Sequence, residues 1–423
     1  MKRIAIVTCA LAMAAGTANA QGLTMQMSNG WSFSFSGNVN AFLVYTDPKC
    51  NTGSCDFGGG LVPTNETAKT SAIRTGLLPA FATFEAKGKE GGVDLGVHFG
   101  FAPQINNAGG VHDQFGAQID MRQVYLTAGG TWGQILAGRE IGLYQRNNIL
   151  NDMTLFGVGP SGGGGYGAGG GTTLGRIGFG YVYPNFVAQM TYSSPASSPA
   201  QISIGLFDPS AIGPNSNEAG GYRVTKIPRV ESEFTWTGHF GATTAEAPKG
   251  ADKVMVFASG EWQHAQSTTG DYVEGVQSSK DSYGGAGGVR ADFSGLSLVG
   301  SGFYGKGIGS VLMFDSGNEV DNAGELRNSY GFIGQAEFQP MGTKWKFGAS
   351  YGENDLKQTS QDNTDCDINC HFLQKNSAIV GSVTYLWTKS LRWVAEYTYT
   401  KATSHDGAEA TANQGAVGMM LFF

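Results

Sequence analysis

The chain has 423 residues, 27 Lys+Arg against 34 Asp+Glu, and a formal net charge of −7, an acidic balance that argues against nucleic acid as a partner. Charged residues make up only 14%, where soluble domains carry ~25%, and the 66 glycines are about twice the usual share of ~7%. No apolar run approaches the ~20 residues of a membrane-spanning helix.

Residues 1–20 read as a secretory leader. Lys2 and Arg3 form a basic start, Ile4 to Ala15 a short apolar core, and Ala18-Asn19-Ala20 a small-residue cleavage site. Cleavage would leave 25 Lys+Arg against 34 Asp+Glu, a net charge of −9, on residues 21–423. Cys9 leaves with the leader. The remaining cysteines come in two close pairs, Cys50 with Cys55 and Cys366 with Cys370. An even count in an exported chain points to disulfides, within each pair or between them. No His or second Cys pair stands at zinc spacing, so no metal is expected.

Beyond the leader the dominant signal is period-2 alternation. Trp31, Phe33, Phe35, Val39, Ala41, Leu43 and Tyr45 share one face, and Ser32, Ser34, Ser36, Asn38 and Asn40 the other. Near the far end Leu391, Trp393, Ala395, Tyr397 and Tyr399 alternate with Arg392, Glu396, Thr398 and Thr400. Sixteen strands are expected: 31–45, 73–87, 91–101, 118–128, 132–140, 173–183, 185–193, 229–238, 251–265, 280–292, 295–306, 327–338, 343–353, 376–387, 390–401 and 414–423. Most are near the ~9–11 residues of a tilted membrane strand, and bacterial barrels have even strand numbers.

Connections alternate in length. Those at 88–90, 129–131, 184–185, 293–294, 339–342 and 388–389 are short, with 239–250 longer on the same side. Those at 46–72, 102–117, 141–172, 194–228, 266–279, 307–326, 354–375 and 402–413 are long. Short turns on one side and long loops on the other mark an outer-membrane barrel, and all four remaining cysteines fall in long loops. Aromatics crowd the expected strand ends (Trp31, Tyr45, Tyr181, Tyr183, Tyr192, Trp345, Tyr351, Tyr385, Trp387 and Trp393), as interfacial girdles do. The final strand ends in Phe422-Phe423. The fold class is all-β: a transmembrane antiparallel β-barrel of sixteen strands.

Four segments carry a family resemblance. They are Ala72-Ile73-Arg74-Thr75-Gly76-Leu77; the hairpin from Arg122-Gln123-Val124-Tyr125-Leu126 through Gly129-Gly130 to Gly138-Arg139; Thr173-Leu174-Gly175-Arg176-Ile177; and Tyr385-Leu386-Trp387-Thr388-Lys389-Ser390. Together they resemble the general, trimeric Gram-negative porins. The resemblance implies a homotrimer in the outer membrane, in contact with lipid and lipopolysaccharide and passing small hydrophilic solutes and ions. It also implies a third loop, 140–172, folded into the lumen as a constriction. On the wall the matching arginines are Arg74, Arg139 and Arg176, with Arg122 a further candidate whose parity with Val124 and Leu126 turns it outward, so that it sits at an interface or needs a bulge. On the loop the match is Asp152, in Asp152-Met153-Thr154-Leu155-Phe156-Gly157, where Thr154-Leu155 replaces the family's Pro-Glu.

Parity turns Glu85, Lys87, Asp94, His98, Gln123, Arg392 and Glu396 toward the lumen. The −9 charge favours cations and the arginine cluster anions. Gly159-Pro160-Ser161-Gly162-Gly163 matches G-x-S-x-G formally, but no helix pattern follows it as a nucleophile elbow requires. Asp362, Asp365 and Asp367 lack the Gly and Glu positions of a calcium loop. The expected function is passive diffusion through a water-filled pore, without catalytic residues or cofactor. The alternatives are a substrate-selective channel with a solute site in its lumen and an outer-membrane enzyme, for which no Ser/His or Asp/His set is legible.

Overall fold

In the computed structural model the residues described are 22–423, apart from 29, 52–54, 56, 63–68, 106–118, 163–170, 214–220, 244–249, 268–278, 315–317 and 365–370. Their strands are β1 (Leu23–Gln26), β2 (Ser32–Cys50), β3 (Thr70–Arg74), β4 (Phe81–Glu90), β5 (Val93–Pro103), β6 (Ile119–Gly130), β7 (Gly133–Ile141), β8 (Phe186–Ser193), β9 (Ala200–Phe207), β10 (Arg229–Phe240), β11 (Asp252–Gln266), β12 (Ser279–Phe293), β13 (Leu296–Lys306), β14 (Asn328–Phe338), β15 (Trp345–Leu356), β16 (Leu373–Leu386), β17 (Leu391–Ser404) and β18 (Glu409–Phe422).

These eighteen segments form sixteen staves. β3 and β4 both pair with β2, one along Phe42–Thr46 and the other along Ser32–Asn38, so they are two halves of a single stave interrupted at 75–80. β1 pairs with Ser32–Phe35 of β2 just beyond the point where β18 leaves it at Asn38, and so prolongs the last stave. Each remaining strand pairs antiparallel with its neighbours in sequence, and β18 returns to β2, closing the barrel. Closure of the staves spares the barrel the open sheet edge that hydrocarbon would penalise.

Alternation decides which face is which. Along β18, Ala410, Ala412, Gln414, Ala416, Met420 and Phe422 are buried, while Val417, Met419 and Leu421 are exposed. The exposed set continues around the outside with Val39, Leu43, Ile204, Val289, Phe332 and Phe347. This is the apolar-out arrangement of a membrane barrel. At the short-turn end the outward rings meet as pairs: Trp345 with Tyr385, Trp387 with Trp393, Trp132 with Tyr192 and Phe240 with Phe293.

Two expectations are corrected, and they cancel in the strand count. Residues 173–183 form turns and isolated bridges, not a strand. Their period-2 pattern is real, but Gly175, Gly178 and Gly180 all have positive φ, which breaks an extended chain. The sixth stave is therefore β8, and the seventh is β9, which lies inside the loop expected at 194–228. The short connection on that side is 194–199, not 184–185. The last long-side connection is also short, 405–408. Tyr181 and Tyr183 accordingly lie in a long connection rather than in a girdle.

Cys50 and Cys55 form a disulfide at the end of β2. Cys366 and Cys370 lie outside the described residues.

Candidate functional site

The long connection 142–185 carries the densest set of contacts to the barrel's inward face. It begins at α1 (Arg146–Leu150) and a following 3-10 turn, Met153–Phe156. The N–H groups of Leu143 and Tyr144 donate to one Glu231 carboxylate oxygen at 2.7 and 2.9 Å. Arg146 pairs with Glu233, and Asn147 donates to the same carboxylate at 2.7 Å. Asn148 reaches Ser301 at 3.1 Å, and Met153 N–H reaches Gln335 at 3.1 Å. Val158 and Gly159 N–H donate to Glu396 at 2.9 and 2.7 Å. Gln414 accepts from Ser161 N–H and donates to Gly159 C=O. The chain then meets the interrupted stave, where Leu77 N–H donates to Gly157 C=O at 3.0 Å and Thr173 N–H to Gly76 C=O at 3.3 Å. It returns past β16, where Arg176 donates to Ala378 C=O, and past β15, where Gly180 N–H donates to Asn354.

Every side-chain partner in this circuit belongs to the buried, inward set. Hydrogen bonds from backbone N–H to buried carboxylates are charge-assisted and among the strong ones. Three wall carboxylates thus hold the segment from two staves, Glu231 and Glu233 on β10 and Glu396 on β17. Apolar contact completes the seat: Leu155, Leu174, Ile177, Phe179 and Tyr181 pack with Leu61, Leu77, Phe81, Ala378 and Met420 in one cluster.

Asp152 is the organising residue of the segment. It caps the 3-10 turn, taking Thr154 N–H and Oγ at 2.8 Å on one oxygen. Its other oxygen takes Arg176 N–H at 3.1 Å and Tyr181 O–H at 2.7 Å. Asp152 and Arg176, expected on opposite sides of an eyelet, are instead neighbours inside the segment, both fully engaged in packing. The strand expected to carry Arg176 does not exist, which is why its wall position fails.

The remaining candidates are spread out. Arg74, at the end of β3, donates to the carbonyls of Gly171 and Thr172 at 3.0 and 3.2 Å. Arg139 contradicts its expected place. It pairs directly with Val124 and Ala188, and the row continues through Phe99, which is exposed on the outer face. The inward neighbour is Glu140, buried and bonded to Gln123 at 2.8 Å. Of the interface position and the bulge that its parity left open, Arg122 takes the bulge: pairing jumps from Gly100–Gln123 to Phe101–Met121, leaving Arg122 as the extra residue. It pairs with Asp120 at 2.7 Å and lies over the Phe186 ring.

Glu396 and Arg392 lie inward as their parity predicts, and Glu231, Glu233 and Arg290, which are not among the residues singled out from the sequence, lie inward too. A signal existed. Arg229, Glu231 and Glu233 share one face of a single strand, in a chain where charges are scarce.

A closed barrel with an apolar exterior, a polar interior and a long segment bonded to its inner wall defines an outer-membrane channel for passive solute diffusion. The sequence matches the Gram-negative porin family over residues 7–419, and the chain belongs to that family. Among curated proteins no sequence relative was found. Solved structures share the fold at low identity. The outer-membrane channel DcaP of Acinetobacter baumannii superposes with a TM-score of 0.66 at 14% identity, covering 94% of this chain and 99% of that one. An anion-selective porin from Comamonas acidovorans gives 0.58 at 12%, covering 93% and 100%. The trimer form of OmpT from Vibrio cholerae gives 0.51 at 13%, covering 93% and 100%.

Proposed function

We propose that the segment 142–185 is the constriction of a water-filled pore, and that this pore admits small hydrophilic solutes and ions by size and charge without catalysing a reaction. The observation that carries this is the circuit of hydrogen bonds from Leu143 to Gly180 around the inward face, anchored on Glu231, Glu233 and Glu396. A segment bonded to staves on opposite sides of a closed barrel narrows its interior. Arg74 and Asp152 act in this reading by shaping the segment, one through its carbonyls and the other as its hub.

The leader 1–20 is removed on export, and residues 21–423 form the barrel in the outer membrane, against lipid and lipopolysaccharide. Assembly as a homotrimer is supported by the trimer form of the Vibrio cholerae relative. Single-channel recording in a planar bilayer tests the proposal. Stable ohmic steps, arriving in threes, are expected. Ohmic steps of unchanged size after deletion of 153–161 would contradict a constriction there.

A further inference from the structure

The inward face at the short-turn mouth carries a second charge system that the constriction does not use. Three strands that start at that mouth have a cation as their second residue: Lys253 on β11, Lys346 on β15 and Arg392 on β17. All three are inward by parity, since Val256, Trp345 and Phe347 mark the outer set and Arg392 pairs with buried Met420. Arg290 on β12 joins them, between exposed Val289 and Phe293.

These four cations share two carboxylates. Asp292 accepts Lys253 at 3.1 Å and both contacts of Arg290 Nε at 3.0 Å. Glu337 pairs with Lys346 at 2.6 Å and lies within electrostatic reach of Arg392. The Arg392 guanidinium is stacked between the rings of Phe156 and Phe422, each 4.7 Å away, which fixes its plane and leaves its edge for in-plane acceptors. The other inward charges here balance: Lys87 with Glu85 at 2.8 Å and Lys89 with Asp94 at 2.9 Å. The inward strand positions named here therefore hold six cations against four carboxylates.

We propose that Lys253, Arg290, Lys346 and Arg392 form an anion-admitting ring at the short-turn mouth, selecting small carboxylate- and phosphate-type anions. The inference rests on the open-channel reading. Opposing net charge elsewhere does not cancel it, because field is focused in a narrow low-dielectric passage. Three inward carboxylates further along the barrel are already engaged: Glu231 by Arg229 and two N–H groups, Glu233 by Arg146, and Glu396 by two N–H groups. Arg290 also meets Asn151 of the constriction at 3.4 Å, so ring and constriction are continuous.

The test is the zero-current potential of the full-length protein in a planar bilayer under a KCl gradient. Wild type is expected to prefer chloride. Arg290→Gln and Lys346→Gln should each lower the chloride-to-potassium permeability ratio roughly twofold, and Asp292→Asn should raise it by a similar factor. The opposite signs separate a charge effect from loosened structure, and heat-modifiable mobility on gels shows that each variant is folded. A potassium preference in wild type, or a ratio unmoved by Arg290→Gln and Lys346→Gln, would overturn the ring. Silence from folded wild type would overturn the open-channel reading itself.

Discussion

Glu396 on β17 and Gly159 in the segment that follows β7 are 237 residues apart in sequence and 2.7 Å apart in space. The same carboxylate oxygen also holds Val158 N–H at 2.9 Å, while Glu396 is buried. Two charge-assisted bonds on one buried acceptor make this contact a firm tie between segment and wall, matched by that of Glu231 with Leu143 and Tyr144. Glu396→Ala should loosen residues 157–161 by about 2–3 kcal/mol, read as faster amide exchange at Val158 and Gly159 and a noisier open-channel current. Unchanged exchange at those amides would refute the tie.

Gly157 lies between Glu396 and the interrupted stave, and the space there admits no side chain. A Cβ on Gly76 would stand 2.2 Å from Gly157 C=O and 2.8 Å from the Phe42 ring. Gly76→Ala must therefore displace the segment at a cost of roughly 1–3 kcal/mol. The expected readout is a lower temperature for the heat-modifiable gel shift together with an altered unit conductance; a variant identical to wild type in both would show that the two backbones do not meet.

At the long-loop mouth, Asp362 lies in a short helix, α2 (Ser360–Thr364). Burial raises its pKa, but two bonds from Arg327 at 2.8 and 2.6 Å and one from Thr359 N–H at 2.9 Å outweigh that, holding the carboxyl below its usual 3.8. Arg327 also lies 4.3 Å from the Phe372 ring, tying the loops together. A folded pKa below the unfolded one stabilises above 3.8, and this contribution fades as pH falls through the depressed folded value. A carboxyl-carbon NMR titration should show Asp362 titrating below that value, with Arg327→Gln moving the midpoint up. No movement would exclude the pair as the cause.

Much of this fold is legible in the sequence, because alternation in a closed barrel reports directly on which side faces lipid. The strands from 251 onward match expectation within a few residues at most ends. The failures have physical causes. Residues 173–183 alternate as well as a strand does, yet their apolar set packs against protein inside the barrel. β9 alternates too, with Ile202, Ile204 and Leu206 outward, but it is short and follows Pro195 and Pro199. The candidate site was less legible. Arg122 stands at a bulge, one of the two places its parity allowed, and Arg139 shares the outward parity of exposed Ile135 on β7, whereas the inward clustering of Asp152 with Arg176 depends on how a long connection folds.

The two arginine placements can be compared chemically. Arg290→Cys should react with a water-soluble methanethiosulfonate reagent from the pore and reduce current, since Arg290 is inward and 26% exposed. Arg139→Cys should leave current unchanged, because its row lies on the outer face. Block at 139 and none at 290 would reverse the assignment of faces.

The account's central claim is an open, size-limited pore. Swelling of liposomes containing the folded protein, in neutral sugars of increasing mass, tests it most directly. The predicted result is a rate that falls steeply with sugar size and rises linearly with concentration. Liposomes that do not swell, or swelling that saturates for a single sugar, would contradict passive diffusion through this barrel.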